Sequence, residues 1–124
     1  MPSPYALIIE DDPRLAGELA AALRSAGFQA DVAATGHMAQ VRLTFTTPDL
    51  VLLNPHLPDF SGEIILRQLS GQRRFRHTRV ALVTGDAQAA RALTEKVDFT
   101  LLEPTGYTQL IDFASQLLPA EPLV

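Results

Sequence analysis

Short apolar runs of strand length alternate with stretches of helical period along the chain, and this limits its fold more than any other feature. Tyr5–Ile9 (YALII), Leu50–Leu53 (LVLL), Arg79–Thr84 (RVALVT) and Phe99–Leu102 (FTLL) are largely apolar runs, as expected of strands buried on both faces. Residues 28–34 (FQADVAA) alternate Phe28, Ala30 and Val32, the pattern of a strand near an edge. The intervening segments read as helices. Pro13 opens the first, with Leu15, Leu19, Leu23 and Ala26 on one face and Gly27 where a left-handed C-terminal residue is wanted. Thr35 caps a second helix over about Gly36 to Phe45, with Met38, Val41 and Phe45 as its apolar face. A third runs from Glu63 to about Leu69. A fourth is capped by Asp86 and runs to about Glu95, and a fifth spans about Tyr107 to Leu118. Pro119 and Pro122 end the pattern, so 119–124 reads as a tail or the start of a linker and 5–118 as the core of a single domain, 1–124.

Five strands alternating with five helices imply a mainly parallel sheet, helices on both faces and right-handed crossovers. Such sheets place their sites at the carboxyl ends of the strands. Here the first strand ends on Glu10-Asp11-Asp12, the third on Asn54, the fourth on Thr84 and the fifth on Glu103-Pro104, so four strands deliver polar groups to one edge. Composition excludes several other chemistries. With no cysteine, disulfides and thiolate metal sites are ruled out. The formal net charge of −4 argues against nucleic-acid binding by this domain. No apolar run approaches the roughly 20 residues of a membrane span. The N-terminus lacks the charged region and cleavage site of a signal peptide, so a cytoplasmic protein is expected. His37, His56 and His77 show no ligand spacing, and the basic run QRRFRHTR reads as a solvated loop with Phe75 tucked onto the core.

The order IIEDDP, PDLVLLNPHLPDFSG, ALVTG, LLEP resembles the receiver domain of bacterial two-component response regulators over about Tyr5 to Leu118. The resemblance implies a flavodoxin-like doubly wound (βα)5 fold with strand order 2-1-3-4-5 and a role in phosphorelay signalling rather than enzymatic turnover. In that family an acidic pair and an aspartate hold a divalent metal, usually magnesium, and the aspartate accepts a phosphoryl group. A Thr or Ser and a Lys contact the phosphate, and an aromatic residue changes rotamer with activation. Glu10 and Asp11 match the acidic pair, Thr84 the switch hydroxyl, and Pro58 and Gly62 the loop after the acceptor. Pro104 matches the proline after the lysine, and His56 the position whose carbonyl ligates metal, so its imidazole need not matter.

The departures fall on the chemical centre. Asn54 stands at the phosphoacceptor position, Glu103 at the lysine position and Thr100 at the aromatic-switch position; Phe99, one residue off, should face the other side of the sheet. A neutral amide is a poor oxygen nucleophile, so no acyl phosphate is expected on Asn54. Deamidation to aspartate usually proceeds through the next backbone N–H, and Pro55 has none. Glu103 adds a carboxylate where phosphoryl transfer wants positive charge. One change at Asn54 would leave Glu103 unexplained; two losses at one site point to a naturally degenerate receiver. The NH₂ of Asn54 could instead bond Glu103 or Asp11 and lock the pocket, or simply satisfy backbone groups. Glu10, Asp11, the Asn54 amide oxygen and the His56 carbonyl could hold Mg²⁺, against a solvated acidic cluster with no ion. The leading expectation is a module that signals through a protein partner or output domain, or as a homodimer, using the fourth helix, fifth strand and fifth helix near Leu93, Val97, Thr100 and Tyr107. The alternatives are a phospho-receiver using Asp59 or Asp12, and a small-molecule binder at the same sheet edge.

Overall fold

A computed structural model describes residues 3–103 and 107–118. The strands are β1 (Tyr5–Ile9), β2 (Gln29–Ala33), β3 (Leu50–Leu53), β4 (Arg79–Thr84) and β5 (Phe99–Leu102). The helices are α1 (Pro13–Ser25), α2 (Gly36–Phe45), α3 (Gly62–Gly71), α4 (Ala87–Leu93) and α5 (Thr108–Ser115), with 3₁₀ turns at Arg73–Phe75 and Thr94–Lys96. All strand pairs are parallel and the sheet order is β2-β1-β3-β4-β5, as the resemblance implied.

Alternate residues of the buried strands feed two separate cores. Ala6, Ile8, Leu50, Leu52, Ala81 and Leu101 pack under α1 and α5, while Leu7, Ile9, Val51, Leu53, Val80 and Leu82 pack under α2, α3 and α4. This is why residues 6–9 of β1 and all of β3 are apolar, with Glu10 and Asn54 following only past the strand ends: neither face of the sheet meets water there. Phe99 lies on the α5 side, stacked on Phe113 with ring centroids 4.9 Å apart, so it faces away from Thr100 as expected. Gly27 has φ of 106°, the left-handed region in which a Cβ is strained, and ends α1.

Three expectations are corrected. The buried side of α2 is Gly36, Ala39 and Leu43; Met38, Val41 and Phe45 face solvent, Phe45 being 82% exposed. The large residues on α2 suggested the opposite face, but small side chains are what let the helix lie close to the sheet. Leu93 is 4% exposed and belongs to the core under α3 and α4, not to a docking surface. The fifth helix stops at Ser115, followed by turn residues 116–118, because Gln116, Leu117 and Leu118 donate to carbonyls only three residues back.

The loop QRRFRHTR does fold onto the core. Phe75 is 3% exposed, and the Arg74 guanidinium lies 4.0 Å above its ring. Arg74 also donates to the Leu43 and Thr46 carbonyls and to Thr47 Oγ1, closing the C-terminus of α2. One of these arginines is therefore a helix cap, which nothing in the local sequence indicated.

Candidate functional site

Parallel register brings the strand ends together. Glu10, Asp11, Asp12, Asn54, His56, Thr84, Asp86 and Glu103 line one open cavity of about 300 Å³ at the carboxyl edge of the sheet. Thr100 is not among its lining; its hydroxyl lies 3.1 Å from that of Thr94 beside α4. Pro104 lies outside the described residues.

Asn54 is the hub. Its Nδ2 donates to Glu10 Oε2 at 3.1 Å and to Asp11 Oδ1 at 3.3 Å, while its Oδ1 accepts the His56 N–H at 2.9 Å. An ionised aspartate could make the last bond but neither of the first two, because it has no donor. Glu103 is not among the hydrogen-bond partners of Asn54 in the described residues. Gly62 permits this arrangement: a Cβ there would lie 2.9 Å from Pro55 Cα and 3.1 Å from the Asn54 carbonyl oxygen. The loop is closed further by the Gly62 N–H on the Pro55 carbonyl at 2.9 Å.

Glu10 is buried, 4% exposed, and its Oε2 also accepts the Asp12 N–H at 3.0 Å. Burial pushes its carboxyl above the ordinary range; the bonds from Asp12 and Asn54 oppose that, and neighbouring Asp11 adds to it. Glu103 is likewise pushed up, first by burial and then by the negative charges of Asp12 and Glu18, with Arg14 opposing. Thr84 is 4% exposed, and its hydroxyl accepts the Asp86 N–H at 3.0 Å.

Two of the nearby carboxylates have structural duties. Asp12 caps α1 by accepting from the Arg14 and Leu15 N–H groups. Asp59 accepts from the Gly36 and His37 N–H groups at 2.8 and 2.9 Å and so caps α2 from across the sheet edge. Local desolvation opposes ionisation of the exposed Asp59, but these backbone donors outweigh it and hold its carboxyl below the usual range. His56 has a role that its carbonyl-ligand position did not suggest. Its Nε2 lies 2.8 Å from Asp86 Oδ2, joining the loop after β3 to the cap of α4. The bond from His56 is the main reason the Asp86 carboxyl is lowered.

In this arrangement both carboxylates are engaged by an amide donor, and an ion held by Glu10 and Asp11 would require the Asn54 amide to turn over. Asn54 turns its NH₂, which cannot ligate, toward both carboxylates and its oxygen toward a backbone N–H. Among the described residues no group of three or more His, Cys, Asp or Glu is placed to hold a metal ion.

The family model for the response regulator receiver domain matches residues 6–114. The chain belongs to this family. The receiver is similar to the transcriptional activator protein PfeR of Pseudomonas aeruginosa, 38% identical over 113 residues that cover 89% of this chain and 36% of that protein. It is also similar to the phosphate regulon regulatory protein PhoB of Rhizobium meliloti, 26% identical over 87% of this chain and 49% of that protein. The receiver thus spans about a third to a half of these relatives. Among solved structures, a CheY-like receiver domain from Methylobacillus flagellatus superposes with a TM-score of 0.83 at 26% identity, covering 94% of this chain and 99% of that one. The receiver domain of the Pseudomonas aeruginosa sensor kinase PA1611, which carries a magnesium ion in its active-site cleft, has a TM-score of 0.83 at 23% identity, covering 94% and 98%. The receiver therefore belongs to two-component signalling, and among its described residues no helix is long and apolar enough to cross a membrane.

The raised carboxyls have a consequence for stability. Glu10 and Glu103 bind protons more tightly in the folded chain than at their ordinary value of 4.5. Where the folded state holds more protons, stability falls as pH rises. The fall should begin near 4.5 and continue through the raised folded values. Glu103→Gln removes one of these groups, so it should raise the unfolding temperature at pH 7.5 and flatten the dependence between pH 4.5 and 7.5. A thermal melt of both proteins across that range, with no gain at pH 7.5, would contradict the assignment.

Proposed function

We propose that this receiver signals without phosphoryl transfer, by presenting one fixed conformation to a protein partner or to an output domain in the cytoplasm. The observation that carries the reading is the Asn54 amide, bonded to Glu10 and Asp11 in the place of a nucleophile. Glu103 supports it by adding negative charge where a phosphoryl group would need a cation. In this reading Glu10 and Asp11 are the acidic pocket, Thr84 is a switch hydroxyl already engaged by Asp86, and Thr100 is too small to act as an aromatic switch. Glu103-Pro104 replaces the lysine–proline pair. Magnesium, present in the PA1611 neighbour, is not required here; calorimetric titration should show no binding in the millimolar range.

The alternative acceptors are disfavoured because Asp12 and Asp59 are each committed to a helix N-terminus. Incubation with acetyl phosphate and magnesium should leave the chain unlabelled by intact-mass spectrometry; a single phosphoryl adduct would defeat the reading. The contact surface is formed by α4, β5 and α5, where Leu102 is 40% exposed and Tyr107 bonds Glu18 Oε2 at 3.2 Å. If the domain dimerises there, Leu102→Glu should shift the mass seen by light scattering toward the monomer, and an unchanged dimer would rule out that face.

A further inference from the structure

A groove runs along the outer side of α3, on the far flank of α4 from the surface just described. It exists because α4 is only seven residues long and mostly alanine, so it covers little of the sheet beside α3. Two adjoining hollows of about 350 and 280 Å³ share Leu66, Ser70 and Lys96. Leu66, Leu69 and Phe75 lie at the bottom of the hollows as nearly buried core residues, 7, 6 and 3% exposed. The rim is cationic. Arg67, Arg73, Arg76 and Lys96 face two carboxylates, Glu63 and Asp98. Asp98 is committed to the Val80 N–H at 2.7 Å and to Arg79 at 3.6 Å, and Glu63 lies 4.0 Å from Arg67. Arg76 reaches only the Arg73 carbonyl, and no hydrogen bond or ion pair holds the Arg73 or Lys96 side chain among the described residues. This excess of positive charge stands on a chain whose net charge is −4 and whose strand-end cavity is acidic.

We infer that this groove docks an acidic segment of a partner protein, with its carboxylates on Arg73, Arg76 and Lys96. The ten residues of α3 make a groove about 15 Å long, which suits two to three turns of helix. Charge complementarity selects the partner: like charges would repel a basic segment, and the acidic remainder of the chain disfavours nucleic acid. The inference rests on the reading that the receiver works by protein contact, and it adds the surface and the partner chemistry.

The test uses the whole chain and three fluorescein-labelled synthetic peptides of about 14 residues, followed by anisotropy. One carries Leu and Phe on a single helical face and Glu elsewhere; the second replaces every Glu by Lys; the third keeps Glu but has no apolar face. The first and third should both bind about tenfold or more tightly than the second, and the double variant Arg73→Glu/Lys96→Glu should weaken both about tenfold or more with an unchanged unfolding midpoint. Amide shifts in the complex should cluster on α3 and the 3₁₀ turns. Equal binding of the three peptides, no binding, indifference to the double variant, or shifts confined to another face would overturn the proposal. So would tighter binding of a duplex oligonucleotide. None of those outcomes affects acetyl-phosphate labelling, so failure here is distinguishable from failure of the phosphorylation-independent reading.

Discussion

The double variant Asn54→Asp/Glu103→Lys is expected to take a phosphoryl group from acetyl phosphate in magnesium, whereas the natural chain takes none. Each change repairs a different defect. The introduced aspartate would supply a charged oxygen where the amide offers a neutral one. It would also remove the NH₂ that now occupies Glu10 and Asp11, freeing both carboxylates for a cation. The introduced lysine would put an ammonium in place of the Glu103 carboxylate that lines the same cavity. Because electrostatic stabilisation by one placed group is worth about 10²–10³ in rate, the double variant should label about that much faster than Asn54→Asp alone. Time-resolved intact-mass spectrometry reads both rates. If Asn54→Asp alone labels as fast as the double variant, Glu103 is not a barrier.

Phe75→Ala is expected to cost about 3–5 kcal/mol in urea unfolding, a large part of the 5–15 kcal/mol typical of a domain. The ring is 3% exposed and lies in the core that joins α2, α3 and β4. It also supports the Arg74 guanidinium, which reaches the carbonyls at the end of α2. The lost ring therefore leaves a cavity and loosens a helix terminus together. Arg76→Ala, two positions on from Arg74 and bonded only to the Arg73 carbonyl, should fall within about 0.5 kcal/mol of the natural chain. A similar loss in the two variants would mean that the loop, not the ring, carries the stability.

The strands and the convergence of Glu10, Asn54, Thr84 and Glu103 were legible because a doubly covered parallel sheet leaves long apolar runs that end at its polar edge. The α2 face was misread because periodicity reports which residues share a face, not which face is covered. Three large apolar residues at the right spacing outvoted Ala39 and Leu43, yet the close approach of helix to sheet selected the smaller set. Leu93 was placed outside for a different reason: the resemblance assigned the fourth helix to a contact surface, whereas this side chain turns into the core under α3 and α4.

Bonds that a side chain makes to groups far away in the chain had no local signal at all. Asp59 capping α2, His56 joining Asp86 and Arg74 closing α2 span 22 to 31 positions. Sequence alone determined the sheet, the edge at which its strands deliver polar groups and the neutral amide at Asn54, since these follow from residue type and the period of the apolar pattern. Only the tertiary structure decided what the amide does there. A donor takes whichever acceptors the fold sets within reach, and parallel register set Glu10 and Asp11, not Glu103, beside it.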